Sequence, residues 1–514
     1  MNLFTLVGIC LNARQTTIKK YSPGVILQIH TAFLRGVGVL VSAALLAGCA
    51  AHQARQISGF DEHFEASNYV AASEYAMDKA GPGDKAPENL LWTLQAASAL
   101  RGAADYRTSN AYFDFAEALM TREDGESLIR DGGENALAVL VNDSVMGYEP
   151  AIYDGVMVNT FKALNMLAEG DLGNARVELN RADDRQRRAV EAFAKEIAKR
   201  QEELEERQAA ETAKHRGGAN RVDTKRSLAV VERKVLSHIE LDRWAAYPDF
   251  VNPFATYVNG LFFLLAATDT GDAGDLRKSH DALKRVASMV PDNDYVQQDL
   301  ALVEGLSSGG LEQPLEPVVW VLFENGLGPV KRERRFDIPL FLVSDDVLYT
   351  SIALPKLEPR PAATKSLRIA DGNELQLKTA TVADMDRVIG TEFKKDYSYV
   401  LTRAVLGAIL KTYVQSEITR TSGAAAGIVA ALIQRATTEA DQRMWTALPK
   451  EFQVARFARP ATGTVTIGSP DLAPVEVSLP DAPFSIVYVK AARAGTTPSH
   501  VVMSFPPERL VSQN

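Results

Sequence analysis

The sequence predicts an α+β protein with N-terminal α-helical repeats and a β-rich, sandwich-like C-terminal domain that carries a helical insert. Three observations lead to this class. Small and apolar residues recur at helical spacing in the first part, whereas β-branched runs separated by turn residues fill the last third. The composition, 46% hydrophobic and 24% charged, is typical of a soluble globular protein. A length of 514 residues predicts two to four domains.

The first element is an apolar run that ends at a cysteine. Residues 36–48 are 13 uncharged, largely apolar positions behind Arg35, and they end immediately before Cys49. A cation, a short apolar segment and small residues in this order are typical of a secretory signal. Because 13 residues fall well short of the roughly 20 that span hydrocarbon, cleavage is favoured over a permanent anchor helix. We therefore predict a signal region over 1–48.

The string Leu46-Ala47-Gly48-Cys49 resembles the lipobox of bacterial lipoproteins. The resemblance implies that Cys49 is lipidated and becomes the first residue of the mature chain, with 49–59 as a tether outside the cytoplasm. Ala50-Ala51 lack the aspartate that favours inner-membrane retention in enterobacterial lipoproteins, so the resemblance favours the outer membrane. A chance apolar run before a buried cysteine is the alternative.

Charge and cysteine content exclude several partners and chemistries. Four cations and no acid precede Cys49, so their removal from a formal net charge of −9 leaves −13. Such a chain is a poor match for nucleic acid, whose affinity depends on Lys and Arg. The other cysteine, Cys10, lies in the predicted signal region, so we expect neither a disulfide nor thiol catalysis in the mature chain.

Residues 60–304 carry a faint internal repeat. One copy consists of Ala163, Gly170-Asp171-Leu172, Ala175, Leu179 and Ala182, and the stretches near 68, 97 and 275 fit the same frame. This spacing resembles tetratricopeptide repeats, in which small residues let two antiparallel helices approach closely. A generic helical bundle is the alternative.

A charged helical hairpin is predicted within this region, over about 185–244. Its first half, 185–211, is almost continuously charged and has only a thin apolar stripe, which predicts a long exposed helix. A second helix over about 225–244 is expected to return antiparallel. A coiled-coil partner is the alternative to a merely solvated surface.

Glycine, serine and proline break the helical period over 305–317, which we interpret as a linker, and 318–514 is predicted to be β-rich. Residues 318–323 predict a strand that ends at a hairpin turn, Asn325-Gly326. The runs 366–370 and 375–380 flank a strong hairpin turn, and five further strands are predicted between 452 and 505.

A helical insert is predicted inside the β-rich domain, over about 382–445. Its stretch 423–433 lacks charge but has only 11 residues, which favours a buried helix over a membrane-active segment.

We find no catalytic, metal or cofactor constellation in the sequence. Ser307 fits a nucleophile-elbow pattern, but a helix precedes it and a linker follows, which is the wrong context. The mature histidines do not pair at the spacing of metal ligands. The basic stretch 331–335 is interpreted as a charged strand edge that discourages aggregation.

Several strings are similar to a family of tetratricopeptide-containing bacterial lipoproteins that has no established activity. They are Asn252-Pro253-Phe254-Ala255-Thr256-Tyr257 with Gly260-Leu261-Phe262, Phe323-Glu324-Asn325-Gly326 with Gly328-Pro329-Val330-Lys331, Ala353-Leu354-Pro355, and Trp445 with Leu448-Pro449 and Gln453-Val454-Ala455-Arg456. The resemblance spans roughly 50–510, implies a periplasm-facing lipoprotein and supplies no catalytic residues to carry over. It marks nine positions as a candidate site: Asn252, Pro253, Phe254, Gly260, Glu324, Asn325, Gly326, Trp445 and Pro449. Among them, Asn252-Pro253 predicts a helix start, and Trp445 with Leu448-Pro449 predicts an apolar lock where the insert rejoins the sheet.

From these observations we expect a membrane-anchored scaffold that binds protein partners in envelope assembly or secretion, without nucleic acid. A cell-wall or glycan-active enzyme that uses acids of the β-rich domain is one alternative. A pore or secretion accessory in which 423–433 contacts lipid is the other.

Overall fold

The structure is a computed structural model. It describes residues 55–81, 86–130, 147–189, 224–244, 251–309, 316–338, 350–373, 375–422 and 439–506, together with residues 195, 202, 206 and 247. Cys49, the stretch 423–433 and the part of the predicted charged hairpin between 190 and 223, apart from residues 195, 202 and 206, lie outside the described residues.

The protein is α+β, with an α-rich region followed by mixed β-sheets, which confirms the predicted class at this level. The helices are α1 (55–65), α2 (Tyr69–Ala80), α3 (Leu90–Gly102), α4 (Tyr106–Arg130), α5 (Ile152–Ala168), α6 (172–189), α7 (Thr224–Ile239), α8 (Pro253–Thr270), α9 (Ala273–Met289), α10 (Asp294–Gly309) and α11 (Met385–Ser422). Their grouping into tetratricopeptide-like repeats stays a prediction.

Polar caps explain where several helices begin and end. Asn89 accepts a hydrogen bond from the Trp92 backbone N–H (3.3 Å) at the start of α3, and Asp272 accepts one from Gly274 (2.6 Å) at the start of α9. Side-chain oxygens at this position satisfy N–H groups that have no partner within the helix. Gly271 ends α8 with φ +74°, a conformation that favours glycine.

Eleven strands in the described residues form three sheets. They are β1 (Val318–Asn325), β2 (Val330–Ile338), β3 (Thr350–Glu358), β4 (Arg368–Ala370), β5 (Gln376–Lys378), β6 (Ala380–Asp384), β7 (Glu451–Ala458), β8 (Thr464–Ser469), β9 (Leu472–Ser478), β10 (Phe484–Ala491) and β11 (Ser499–Phe505). The largest sheet has the order β11-β10-β1-β7-β6, a second has the order β5-β4-β8-β9, and β2 pairs with β3 alone. The predicted hairpin between β4 and β5 is present.

The central strand β1 separates two apolar clusters. All eight of its residues are buried, and it runs parallel to β10 and antiparallel to β7. Trp320 and Leu322 belong to the cluster shared with the helices, whereas Val319, Val321 and Phe323 belong to the cluster shared with the four-stranded sheet. This alternation follows from the two-residue period of a strand. The sandwich assignment of the two sheets stays a prediction.

The structure corrects the expected hairpin turn at Asn325-Gly326. The chain does turn there, with Gly326 at φ +66°, but β1 and β2 lie in different sheets. Strand β1 is buried on both faces and takes both neighbours, β7 and β10, from distant parts of the chain, which a local turn signal does not reveal.

Three element boundaries also differ from the sequence prediction. Helix α1 begins at residue 55, so the last residues of the predicted tether 49–59 are helical. Helix α10 continues to Gly309, so the first residues of the predicted linker are helical, and the Ser307 hydroxyl donates to the Val303 carbonyl one turn earlier (2.8 Å). The predicted insert begins with strand β6, and its helix α11 starts at Met385.

Helices and sheet share a single apolar cluster. It extends from Phe60 in α1 to Phe505 in β11 and includes residues of α3, α5, α8 and the helix-facing side of the central sheet. The predicted division at 305–317 coincides with the change from helix to strand, but side chains from both sides of it pack together. As a domain boundary it stays a prediction.

A buried carboxylate lies at the start of α5. Asp154 is fully buried, and its Oδ2 accepts hydrogen bonds from the Tyr148 hydroxyl (2.7 Å) and the Ala151 backbone N–H (2.9 Å). Burial raises the pKa of Asp154 to about 6, because the two accepted hydrogen bonds offset only part of the desolvation of the charge.

This shift predicts a pH dependence of stability. The folded state retains the Asp154 proton where the unfolded state has lost it, so the contribution of Asp154 to stability decreases as pH rises from about 4 to 6. Asp154→Asn keeps both accepted bonds and removes the ionisation. We expect the free energy of unfolding of this variant, relative to wild type, to increase by about 2–3 kcal/mol between pH 4 and pH 7 in urea titrations.

The matched control is Asp292→Asn at an exposed position. We expect this control to change the pH dependence of the free energy of unfolding by no more than about 0.5 kcal/mol relative to wild type. Parallel profiles for wild type and Asp154→Asn would contradict the assignment of this pH dependence to Asp154.

Candidate functional site

The nine positions marked by the family resemblance lie in helix α8, at the end of strand β1 and in the segment before β7. Asn252, Pro253, Phe254 and Gly260 belong to the start and middle of α8. Glu324 and Asn325 end β1, and Gly326 follows. Trp445 and Pro449 lie in the segment that leads into β7.

Glu324 is the centre of a buried charge cluster. Its Oε1 accepts hydrogen bonds from Arg101 Nη1 on α3 and from the Tyr488 hydroxyl on β10, both at 2.5 Å. Its Oε2 lies 3.3 Å from Lys490 Nζ, also on β10. Since Glu324, Arg101 and Lys490 are each less than a tenth exposed, the cluster is withdrawn from solvent.

Aromatic rings surround both cations of this cluster. The Arg101 guanidinium lies 4.5 Å from the Phe161 ring centre and 4.6 Å from that of Tyr488. Lys490 Nζ lies 4.6 Å from the ring centre of Phe64 on α1. Cation–π contacts of this kind partly replace water around a buried charge.

The charges of the cluster shift one another's pKa values. Burial by itself would raise the pKa of Glu324, but the attraction of Arg101 and Lys490 outweighs it and holds the pKa below its usual value. Burial also lowers the pKa of Lys490, and Glu324 only partly restores it. The Arg101 pKa is raised, because Glu324 overcomes the effect of burial. Glu324 and Arg101 therefore form a charged pair at neutral pH.

A small cavity of about 50 Å³ adjoins this cluster. Its lining includes Arg101, Lys490 and Tyr488 on the inner side and the exposed residues Ala104 and His500 at the solvent side. The remaining wall combines apolar residues of α5 and β11 with the polar residues Tyr106 and Ser499. Its volume is sufficient for a few water molecules or one small polar group.

The segment with Trp445 fastens helices α1 and α3 to the sheet. The Trp445 indole N–H donates to Ser98 Oγ (2.8 Å), and the neighbouring Thr446 hydroxyl donates to Asp61 (2.5 Å) and accepts from Gln95 (2.7 Å). Trp445 is 1% exposed, consistent with the predicted apolar lock between the insert and the sheet.

Asn325 and Gly326 hold the loop 359–364 against the end of β1. Asn325 donates to the Thr364 carbonyl (2.7 Å) and accepts from the Thr364 N–H (3.1 Å). A Cβ on Gly326 would lie 2.8 Å from the Ala362 Cα, and the residue has φ +66°. Glycine is therefore required at this position for both space and backbone conformation.

The remaining marked positions have structural contacts. Asn252 accepts from the Phe254 N–H (3.0 Å) as predicted for a helix start, and the Phe254 ring stacks on Phe452 of β7 at 3.5 Å. A Cβ on Gly260 would lie 2.9 Å from Leu283 Cγ, so this glycine permits close contact between α8 and α9. The Pro449 carbonyl lies beside Gly328.

The other sequence candidates do not join this cluster. In the basic stretch, Arg334 pairs with Glu358 (2.8 Å) and Arg335 with Glu333 (2.5 Å) along the β2–β3 ribbon. Among the described residues, no group of three or more His, Cys, Asp and Glu side chains is placed to hold a metal ion. No helix in that part of the chain has the length and apolar content needed to cross a membrane.

Sequence reasoning selected Glu324 but missed Arg101 and Lys490. Arg101 lies in the last turn of an otherwise uncharged helix, and Lys490 lies next to the end of an otherwise uncharged strand. A cation at such a position normally extends into solvent. The usable signal was Glu324 itself, because an acid at the end of a strand with no exposed face needs a partner.

No family model matches the chain, and no similar protein was found among curated proteins or solved structures.

The cluster predicts a large cost for removing the Glu324 charge. In Glu324→Gln, the Arg101 guanidinium keeps its charge without a counter-charge in the interface. We expect a loss of about 3–5 kcal/mol in the free energy of unfolding, measured by urea denaturation at pH 7. Glu476→Gln, at an exposed position of β9, should change it by less than about 0.5 kcal/mol. A similar small effect for both variants would show that the cluster is not a stabilising unit.

Proposed function

We propose that this protein is a lipid-anchored, periplasm-facing protein of the outer membrane that acts as a protein-binding scaffold or accessory factor in envelope assembly or secretion. The observation that carries the proposal is the string Leu46-Ala47-Gly48-Cys49 behind a short apolar run. In the proposal, acyl chains on Cys49 hold one end of the chain at the bilayer.

The folded body begins very close to this anchor. Helix α1 starts at residue 55, only six residues after Cys49, and these can span at most about 20 Å. Phe60 and Phe64 of α1 are fully buried, and Asp61 accepts a hydrogen bond from Thr446, so α1 is an integral part of the body. A short link to a firmly held helix supports a role near the membrane surface.

The helical region provides the favoured partner surface. In the described residues, the large hydrophobic side chains that remain exposed are Val70, Phe115 and Val177, and all three lie on helices α2, α4 and α6. Exposed apolar side chains on stacked helix pairs suit a protein partner. We assign these pairs as tetratricopeptide-like repeats and the two larger sheets as a sandwich, as parts of the same proposal.

Replacement of the anchoring residue tests localisation. Cys49→Ser in the native host is expected to block lipidation and to abolish both signal removal and sedimentation with outer membranes, measured by labelled fatty acid and density-gradient fractionation. Cys10→Ser, upstream of the proposed cleavage site, is the matched control and should behave as wild type. If Cys49→Ser is trimmed to the same size and still sediments with the envelope, the anchor proposal is wrong.

Replacement of an exposed aromatic residue tests partner binding. Phe115→Asp places a charge on the apolar surface of α4 and is expected to reduce recovery of crosslinked partners from envelopes severalfold, measured by quantitative mass spectrometry. Gln376→Asp adds the same charge at an exposed position of β5 and should leave recovery unchanged. Circular dichroism establishes that both variants are folded. Equal recovery for the two variants would exclude the α4 surface as the partner site.

A further inference from the structure

The cavity beside Glu324 has more positive than negative charge around it. Arg101 and Lys490 both line it, and among the described residues the carboxylate in contact with these two cations is that of Glu324. One carboxylate therefore faces two cations in a site withdrawn from solvent. We propose that this cavity binds the carboxylate or phosphate group of a small anionic ligand.

Arg101 also retains an unused donor. Its Nη1 binds Glu324, whereas its buried Nε has no hydrogen-bond partner among the described residues. A buried donor without an acceptor is costly, and a guanidinium is suited to bind a carboxylate or phosphate with two parallel hydrogen bonds. An anion in the cavity that accepts a hydrogen bond from Arg101 Nε would give this donor a partner.

The helix ends near the cavity do not balance the second cation. Helices α3 and α5 both end at its wall, and free carbonyl groups at a helix C-terminus would attract a cation. Several carbonyls of their last turns are instead hydrogen-bonded within the chain: the Leu100 carbonyl accepts from Asp105 N–H (3.0 Å), and the Met166 carbonyl accepts from Asp171 N–H (2.8 Å). The side-chain cations thus determine the charge of the site.

The shape of the cavity restricts the ligand to one small group in its interior. A volume of about 50 Å³ fits a single carboxylate or phosphate, and the wall combines the apolar side chains of Leu164, Val501 and Met503 with the polar residues Tyr106 and Ser499. Any larger part of the ligand must extend past exposed His500 into solvent. Lys490 is thus placed to contact the anion, while Glu324 holds Lys490 in position.

Binding is tested with inorganic phosphate and with acetate, each titrated by calorimetry into the full-length chain in detergent at pH 7 and constant ionic strength. We expect a dissociation constant on the order of 1 mM for at least one of the two anions, since few atoms make contact. Preference for phosphate would identify a phosphorylated ligand, and preference for acetate a carboxylate. Failure of both to bind at concentrations tenfold higher would overturn the proposal.

Two variants locate the binding. Lys490→Gln removes one cation and is expected to weaken binding at least about tenfold, whereas the matched change Lys378→Gln at an exposed position of β5 should have no effect.

His500→Asp changes an exposed residue at the mouth of the cavity and leaves the buried cluster intact. This variant can therefore be used even if Lys490→Gln fails to fold. Its added negative charge should weaken binding severalfold. Unchanged affinity in His500→Asp would place the anion elsewhere. This test is independent of the lipid anchor.

Discussion

The pairing of Glu324 with Arg101 is the interaction on which the arrangement of helices and sheet depends. The carboxylate is contributed by the central strand, one cation by helix α3 and the other by the neighbouring strand β10. A charge that is this deeply buried requires its partners at fixed positions, because an unpaired charge in the interface would cost several kcal/mol. The apolar cluster supplies most of the attraction between the layers, but it is non-directional. The charged cluster, together with the hydrogen bonds of Gln95 and Ser98, determines how α3 is positioned along the sheet.

The same interface explains why helical and β-rich parts are not independent. Strand β1 directs Trp320 and Leu322 toward the helices and Val319, Val321 and Phe323 toward the second sheet. If the helices were removed, strand β1 would lose the apolar contacts on one of its two faces. The aromatic and aliphatic side chains on that face would then be exposed to water, which is unfavourable. The helical region therefore acts as one wall of the core of the β-rich part.

The sequence was sufficient for those features that depend on local chemistry. Strands after residue 318, the hairpin at 371–373 and the helix start at Asn252 follow from period, turn residues and capping residues that lie next to one another in the chain. Pairing between distant segments was not accessible in this way. The turn at Asn325-Gly326 was correctly located but its strands were wrongly paired, because the neighbours of β1 come from residues more than 120 positions later. Glu324 was selected by resemblance, whereas nothing local distinguishes Arg101 from a solvent-facing helix end.

The position of α1 connects the proposed anchor to this interface. Phe64 of α1 contacts the Lys490 ammonium, and Asp61 of the same helix accepts from Thr446, whose neighbour Trp445 binds α3. A displacement of α1 therefore cannot occur without disturbing both the charged cluster and the segment that leads into β7. If acyl chains on Cys49 hold the chain, about 20 Å at most separates the bilayer from a helix that is part of the core. Because α1 is packed into the core, the folded body would then be held close to the membrane. The helices that follow α1 would be placed to meet partners near that surface.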